Sequence, residues 1–162
     1  MSVVVVAAGG TITSYFDGEQ WTNVPVRALV DELGRDFEHV EVVEAALGAS
    51  SNLDTVDMLR IVESVGRAFD DGATGVVVVH GTDTMELTAY VTHLFDPARG
   101  RGPVVFTGSM RVHSHHAPDG PDNLRNAIAI ASVWNPDDAR VVVCLEGVIH
   151  SVSYTHLRAH ET

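Results

Sequence analysis

The stretch Val76-Val77-Val78-Val79-His80-Gly81-Thr82-Asp83-Thr84-Met85-Glu86 decides how the chain is read. Four β-branched residues in a row predict a strand buried on both faces, as in a parallel sheet. The run stops in small polar residues and passes into helical spacing from Met85 to Phe95. Thr82, Asp83 and Thr84 then stand at the carboxyl end of a strand and the mouth of a helix, where open α/β sheets bind ligands. A hydroxyl beside a carboxylate suits a polar ligand. Asp83 or Thr84 equally suits a helix cap, and this stretch alone leaves both readings open.

A second junction of the same kind opens the chain. Val3-Val4-Val5-Val6-Ala7-Ala8-Gly9-Gly10-Thr11-Ile12 is again a β-branched run that ends in small residues and a threonine. Two glycines let the backbone take conformations closed to other residues and let a ligand approach closely. Neither G-x-x-x-x-G-K-[ST] nor G-x-G-x-x-G fits here, so this is not a phosphate loop.

Between and after these junctions, strands alternate with helices. The expected elements are a strand from Val3 to Ala8, a helix from Val26 to Leu33 and a strand from Phe37 to Val43. A helix opening at Asp54 follows, with Met58, Ile61, Val62, Val65 and Phe69 in phase. Then come the central strand, its helix, a strand from Pro103 to Phe106, a helix from Asn123 to Val133 and a fifth strand from Arg140 to Leu145. The pattern predicts an α/β fold with a doubly wound, mostly parallel sheet and helices on both faces. The segment from Ser14 to Trp21 has no sustained period and is expected to be a mobile loop beside the first junction.

Composition narrows the function classes. The 162 residues are 45% hydrophobic and 20% charged, ordinary values for one globular domain. A formal charge of −12 argues against a nucleic-acid partner, because no basic patch can meet phosphates. No apolar run reaches membrane-spanning length and no leader peptide is read, so a cytoplasmic protein is expected, with no membrane partner. The single cysteine, Cys144, lies in the run Val141-Val142-Val143 and is expected to be a buried strand residue. His113, His115 and His116 cluster in a segment without Cys or acidic partners at zinc-site spacing, so no metal is expected and the segment is taken as a solvent-facing loop. No cofactor motif is found. All ten basic residues are arginine; the chain has no lysine.

Four motifs carry a resemblance. AAGGTITS at 7–14, HGTDTMELTAY at 80–90, PVVFTGSMR at 103–111 and DGPDNLRNA at 119–127 resemble, in order and spacing, those of the bacterial-type L-asparaginase/glutaminase family. The resemblance covers roughly residues 3–150. It implies a catalytic N-terminal domain over residues 1–151, incomplete at its C-terminal end. From Val152 the chain reads VSYTHLRAHET, similar to a translated sequencing adapter, and residues 152–162 are expected to be a non-native tail.

The resemblance also implies chemistry. A threonine hydroxyl attacks only when a base takes its proton. Family members use two threonines to hydrolyse a side-chain amide to acid and ammonia, which by position are Thr11 and Thr82. The resemblance makes Thr11 the nucleophile of an acyl-enzyme, with Tyr15 as the assisting loop tyrosine, and groups Thr82 with Asp83 and a lysine. Backbone amides near both threonines would hold the oxyanion. For an amino-acid substrate, Asp83 suits the ammonium, while Ser50, Ser51 and the helix end at Asp54 suit the carboxylate. The expected substrate is L-asparagine, or L-glutamine, and the full-length parent is expected to be a homo-oligomer, a dimer or tetramer.

Two departures stand out. Ser51 replaces a glutamine common in the family. The position of the family's lysine, counted along the chain, falls near His156, and no lysine exists elsewhere. An inactive fragment is therefore expected. Two other readings compete: an asparagine- or aspartate-binding module without turnover, and the asparaginase-like subunit of a tRNA-dependent amidotransferase. That subunit shares these motifs but normally carries a further N-terminal domain.

Overall fold

The computed structural model describes residues 2–45, 52–133 and 140–152. Its centre is a six-stranded sheet. The strands are β1 (Val3–Ala7), β4 (Glu41–Glu44), β5 (Gly75–Val79), β6 (Val104–Thr107), β7 (Val141–Leu145) and β8 (Val148–Ser151). They lie in the order β4-β1-β5-β6-β7-β8. All neighbours pair in parallel except β8, which runs antiparallel to β7. The mostly parallel, helix-covered sheet expected from the alternating pattern is what the chain forms.

The continuous valine runs have a physical reason. In β1, Val3, Val5 and Ala7 face one core cluster with Val26, Leu29 and Val30 of helix α1 (Val26–Glu32) and Leu124, Ala127 and Ile128 of helix α4 (Gly120–Val133). Val4, Val6 and Ala8 face the other, with Ile61 and Val65 of helix α2 (Thr55–Asp70) and Met85 and Ala89 of helix α3 (Thr82–Phe95). A strand covered on both faces needs apolar side chains at every position, not at alternate ones. Cys144 belongs to the α1/α4 side and is fully buried, as its place in an apolar run foretold; burial pushes its thiol pKa up. Among the described residues no helix is long and apolar enough to cross a membrane.

Several expectations need correction. The segment expected as a loop from Ser14 to Trp21 is mostly a hairpin of β2 (Ser14–Phe16) and β3 (Trp21–Asn23), paired at Tyr15–Thr22 and Phe16–Trp21. Asp17 makes its turn, its Oδ1 accepting from the amides of Glu19 and Gln20, each at 2.8 Å. The strand expected from Phe37 is shorter, because Arg35–Phe37 is a 3₁₀ turn and β4 begins at Glu41. Helix α3 begins at Thr82, not Met85, and β8 adds a strand that the fifth-strand reading lacked. Val152, the first residue of the expected tail, is buried in the α2/α3 cluster; the rest of that tail lies outside the described residues.

Candidate functional site

Counting the sheet strands in chain order, the pattern is 2-1-3-4-5-6, so the direction of winding reverses between β1 and β5. That reversal opens a crevice at the carboxyl ends of these two strands. Ala7 pairs with Val79, and the Ala8 amide donates to Val79 O at 2.8 Å, so both strands run out at the same level. The two junctions singled out in the sequence therefore lie side by side.

Gly10 is what brings them into contact. Its φ is 101°, and a Cβ built there would stand 2.4 Å from both the Cα and the amide nitrogen of Gly81. No side chain fits in that space, so backbone meets backbone. Thr11 and Thr82 each follow one of the two touching glycines. Thr13, 5% exposed, fixes the turn by donating its hydroxyl to Gly10 O at 2.8 Å. Among the described residues, neither the Thr11 nor the Thr82 hydroxyl takes part in a hydrogen bond.

Helix α3 is capped by the backbone of Gly81. The alternative of a cap at Asp83 or Thr84 is thus corrected: both lie in the first turn of the helix. Asp83 is exposed there, and Thr82 is partly buried. The first amides of α3 have no acceptor within the helix, and its dipole favours negative charge at this end.

The other two motifs reach the same edge. A Cβ on Gly108 would stand 2.3 Å from His80 O, and one on Gly120 would stand 2.7 Å from Ile12 Cγ1. Asn123, 2% exposed, ties them together: its Nδ2 donates to Gly108 O at 2.9 Å and its Oδ1 accepts from the Glu146 amide at 2.8 Å. Asp119 accepts from the amides of Met110 and Arg111, each at 2.9 Å. Burial works against its ionisation, but those amides and the Arg111 guanidinium prevail and hold its carboxyl below the usual range. Asn123 and Asp119 were quoted in the motifs without being singled out. An asparagine in phase with Leu124, Ala127 and Ile128 on an apolar helix face was the readable signal.

Tyr15 sits on β2, 37% exposed, with its ring 6.3 Å from that of His113. The hairpin carrying it is clipped to the histidine segment: the His113 amide donates to Ser14 O at 2.9 Å and the Phe16 amide to Ser114 Oγ at 2.9 Å. His113 is not a solvent-facing loop residue, since only 15% of its side chain is exposed and its Nε2 stands 3.4 Å from Glu32 Oε1. The rings of His115 and His116 lie 4.2 Å apart. Among the described residues no group of three or more His, Cys, Asp or Glu could hold a metal ion.

Ser50 and Ser51 lie outside the described residues. The start of α2 just beyond them is described. Asp54 Oδ1 accepts from the Asp57 amide at 2.9 Å, and the Asp57 side chain closes the capping box. The box engages one of the amides that a helix start leaves without an intrahelical acceptor and sets two carboxylates beside them.

The chain is similar to known proteins along most of its length. The family model described as asparaginase, N-terminal, matches residues 2–160. L-asparaginase 2 of Bacillus subtilis is 30% identical over 162 residues, covering 94% of this chain and 43% of that protein. The glutaminase-asparaginase of Acinetobacter glutaminasificans is 33% identical, covering 91% of this chain and 47% of that protein. A glutamyl-tRNA(Gln) amidotransferase subunit of Metallosphaera sedula is 33% identical over 135 residues, covering 80% of this chain and 30% of that protein. The chain thus spans less than half the length of these relatives. Among solved structures, the thermostable L-asparaginase from Thermococcus kodakarensis superposes with a TM-score of 0.79 at 25% identity, over 94% of this chain and 46% of that one. The probable cytoplasmic L-asparaginase from Campylobacter jejuni gives 0.77 at 28% identity, with the same coverage.

Proposed function

The chain belongs to the asparaginase family, to its N-terminal part, and from that premise we propose that it serves an amidohydrolase that converts L-asparagine to L-aspartate and ammonia through a threonine acyl-enzyme. The observation that carries this reading is the backbone contact of Gly10 with Gly81, which sets Thr11 and Thr82 beside one crevice at the reversal point of the sheet. In this reading the Thr11 hydroxyl attacks the amide carbon, ammonia leaves, and water releases aspartate from the ester. Tyr15 assists from the hairpin. Backbone amides around the two threonines, including the first of α3, stabilise the oxyanion. Asp83 meets the substrate ammonium, and Ser50 and Ser51 meet its carboxylate. L-Glutamine is the competing substrate, and the full-length protein is a cytoplasmic homo-oligomer.

No lysine is present to complete the set around Thr82 and Asp83, so turnover by this chain is expected to be very slow. The test pairs an ammonia-release assay with L-aspartate titration on the chain and its Thr11→Ala variant. Saturable aspartate binding retained in the variant, with residual ammonia release abolished, is the expected outcome. Ammonia release that survives Thr11→Ala overturns the assignment of the nucleophile.

The 33% identity to the amidotransferase subunit favours a second reading, in which the same site acts for a tRNA-dependent amidotransferase. Ammonia release that depends on added glutamyl-tRNA(Gln) would select it.

A further inference from the structure

His80 directly follows the central strand, and the proposed chemistry gives it no role. Its side chain is fully buried, on the same sheet face as Val76 and Val78, with its ring 6.0 Å from that of Phe106. An apolar residue would fill such a place without any polar cost. Imidazole instead brings two nitrogens, and only one finds a partner. Nδ1 lies 2.7 Å from Gly81 O, while Nε2 is buried without a hydrogen bond.

The partner settles the tautomer. A carbonyl oxygen can only accept, so Nδ1 carries the proton, and in the neutral ring Nε2 is a bare lone pair. Burial pushes the His80 pKa down and the bond to Gly81 opposes it, with burial the larger effect. Leaving a buried acceptor unmatched costs about 1–3 kcal/mol. A residue that keeps this cost in a valine-lined core is kept for what its other nitrogen does.

That nitrogen holds one peptide. Gly81 O and the Thr82 amide belong to the same planar unit and point in opposite directions. With the oxygen drawn to the His80 ring, the Thr82 N–H is directed away from the α2/α3 core, and α3 starts in one orientation. Gly10 seals the arrangement from the other side, its backbone lying against Gly81. We propose that His80 is a positioning residue, its Nδ1–H bond to Gly81 O setting the tilt of the Gly81–Thr82 peptide and so the direction in which Thr82 meets the Thr11 turn. The proposal rests on the crevice being the ligand site described above, but its structural half can be read without any ligand.

The experiment records nitrogen-15 spectra of the whole labelled chain at neutral pH, for the wild type, His80→Asn and His80→Phe, and titrates each with L-aspartate. An asparagine amide places a donor where Nδ1 stands, whereas phenylalanine fills the space without one. The expected wild-type ring is the Nδ1–H tautomer. H80N keeps the Thr82 amide signal in place and the aspartate affinity within about threefold, while H80F moves that signal and weakens binding about tenfold at an unchanged or higher melting temperature. A merely structural role would lower the melting temperature and leave the two variants alike in binding. An Nε2–H tautomer in the wild type, or an unmoved Thr82 signal in H80F, overturns the proposal. Absence of aspartate binding in the wild type counts against the proposed function alone, because tautomer and amide signal still decide the role of His80.

Discussion

At Gly10 the backbone has φ 101° and ψ −177°, a region essentially closed to side chains, and Gly34 provides a matched control at φ 107° and ψ 179°. A Cβ at Gly34 meets nothing within 4 Å, while one at Gly10 runs into the Gly81 backbone at 2.4 Å. Gly34→Ala should therefore cost backbone strain alone, about 1–3 kcal/mol. Gly10→Ala should cost that and the overlap, exceeding Gly34→Ala by at least about 1 kcal/mol in urea unfolding. Equal losses would mean that the two junctions are not in tight contact. At this scale the sequence was informative. Gly-Gly-Thr and Gly-Thr-Asp-Thr marked both junctions because each ends a β-branched run in small polar residues, and the second stretch, ambiguous alone with a helix cap, gained weight from the first. The contact between them was not legible, since nothing in either stretch says which strand lies beside it.

Among the elements, the end of β6, the start of α4 and the turn from β7 to β8 are joined through one side chain. Replacing Asn123 by alanine strands both Gly108 O and the Glu146 amide, partners at 2.9 and 2.8 Å. Gly108 O is the buried one of the two, while Glu146 is exposed and water can meet its amide, so a loss of about 1–3 kcal/mol is expected. Amide hydrogen exchange should localise it to Glu146 and the neighbouring turn; a uniform loss of protection would contradict the clamp. Helices α1, α2 and α4 were legible because their apolar residues recur at helical spacing over seven residues or more. The β2–β3 hairpin was not, as strands of three residues are too short for alternation to register, although Asp17-Gly18 carried the turn signal. The start of α3 was placed three residues late because Thr82-Asp83-Thr84 has the composition of a cap; with Gly81 in the cap position, these residues instead form the first turn.

For the whole molecule, strand order was the part that the sequence withheld. Periodicity reports how each strand is covered, and β1, β5 and β6 are all fully covered, so their order cannot be told from it. Charge acts at this scale too, through protons taken up on unfolding. His80 has its pKa lowered in the folded chain, so its contribution to stability is complete above its ordinary value of 6.5 and is lost as pH falls below it. Asp119, also lowered, contributes above its ordinary 3.8 and loses that contribution as pH falls through its folded value. Thermal unfolding followed from neutral to acid pH should show the first loss beginning near 6.5, and H80F should lack that part of it. Identical pH profiles for H80F and the wild type would show that the buried ring does not resist protonation.

The most direct measurement is a nitrogen-15 map of the full chain titrated with L-aspartate. The account predicts saturable shifts gathered at Gly9–Thr13 and Gly81–Thr84, the two junctions that Gly10 and Gly81 bring together. Shifts confined to another face of the molecule, or none at saturating aspartate, would contradict it.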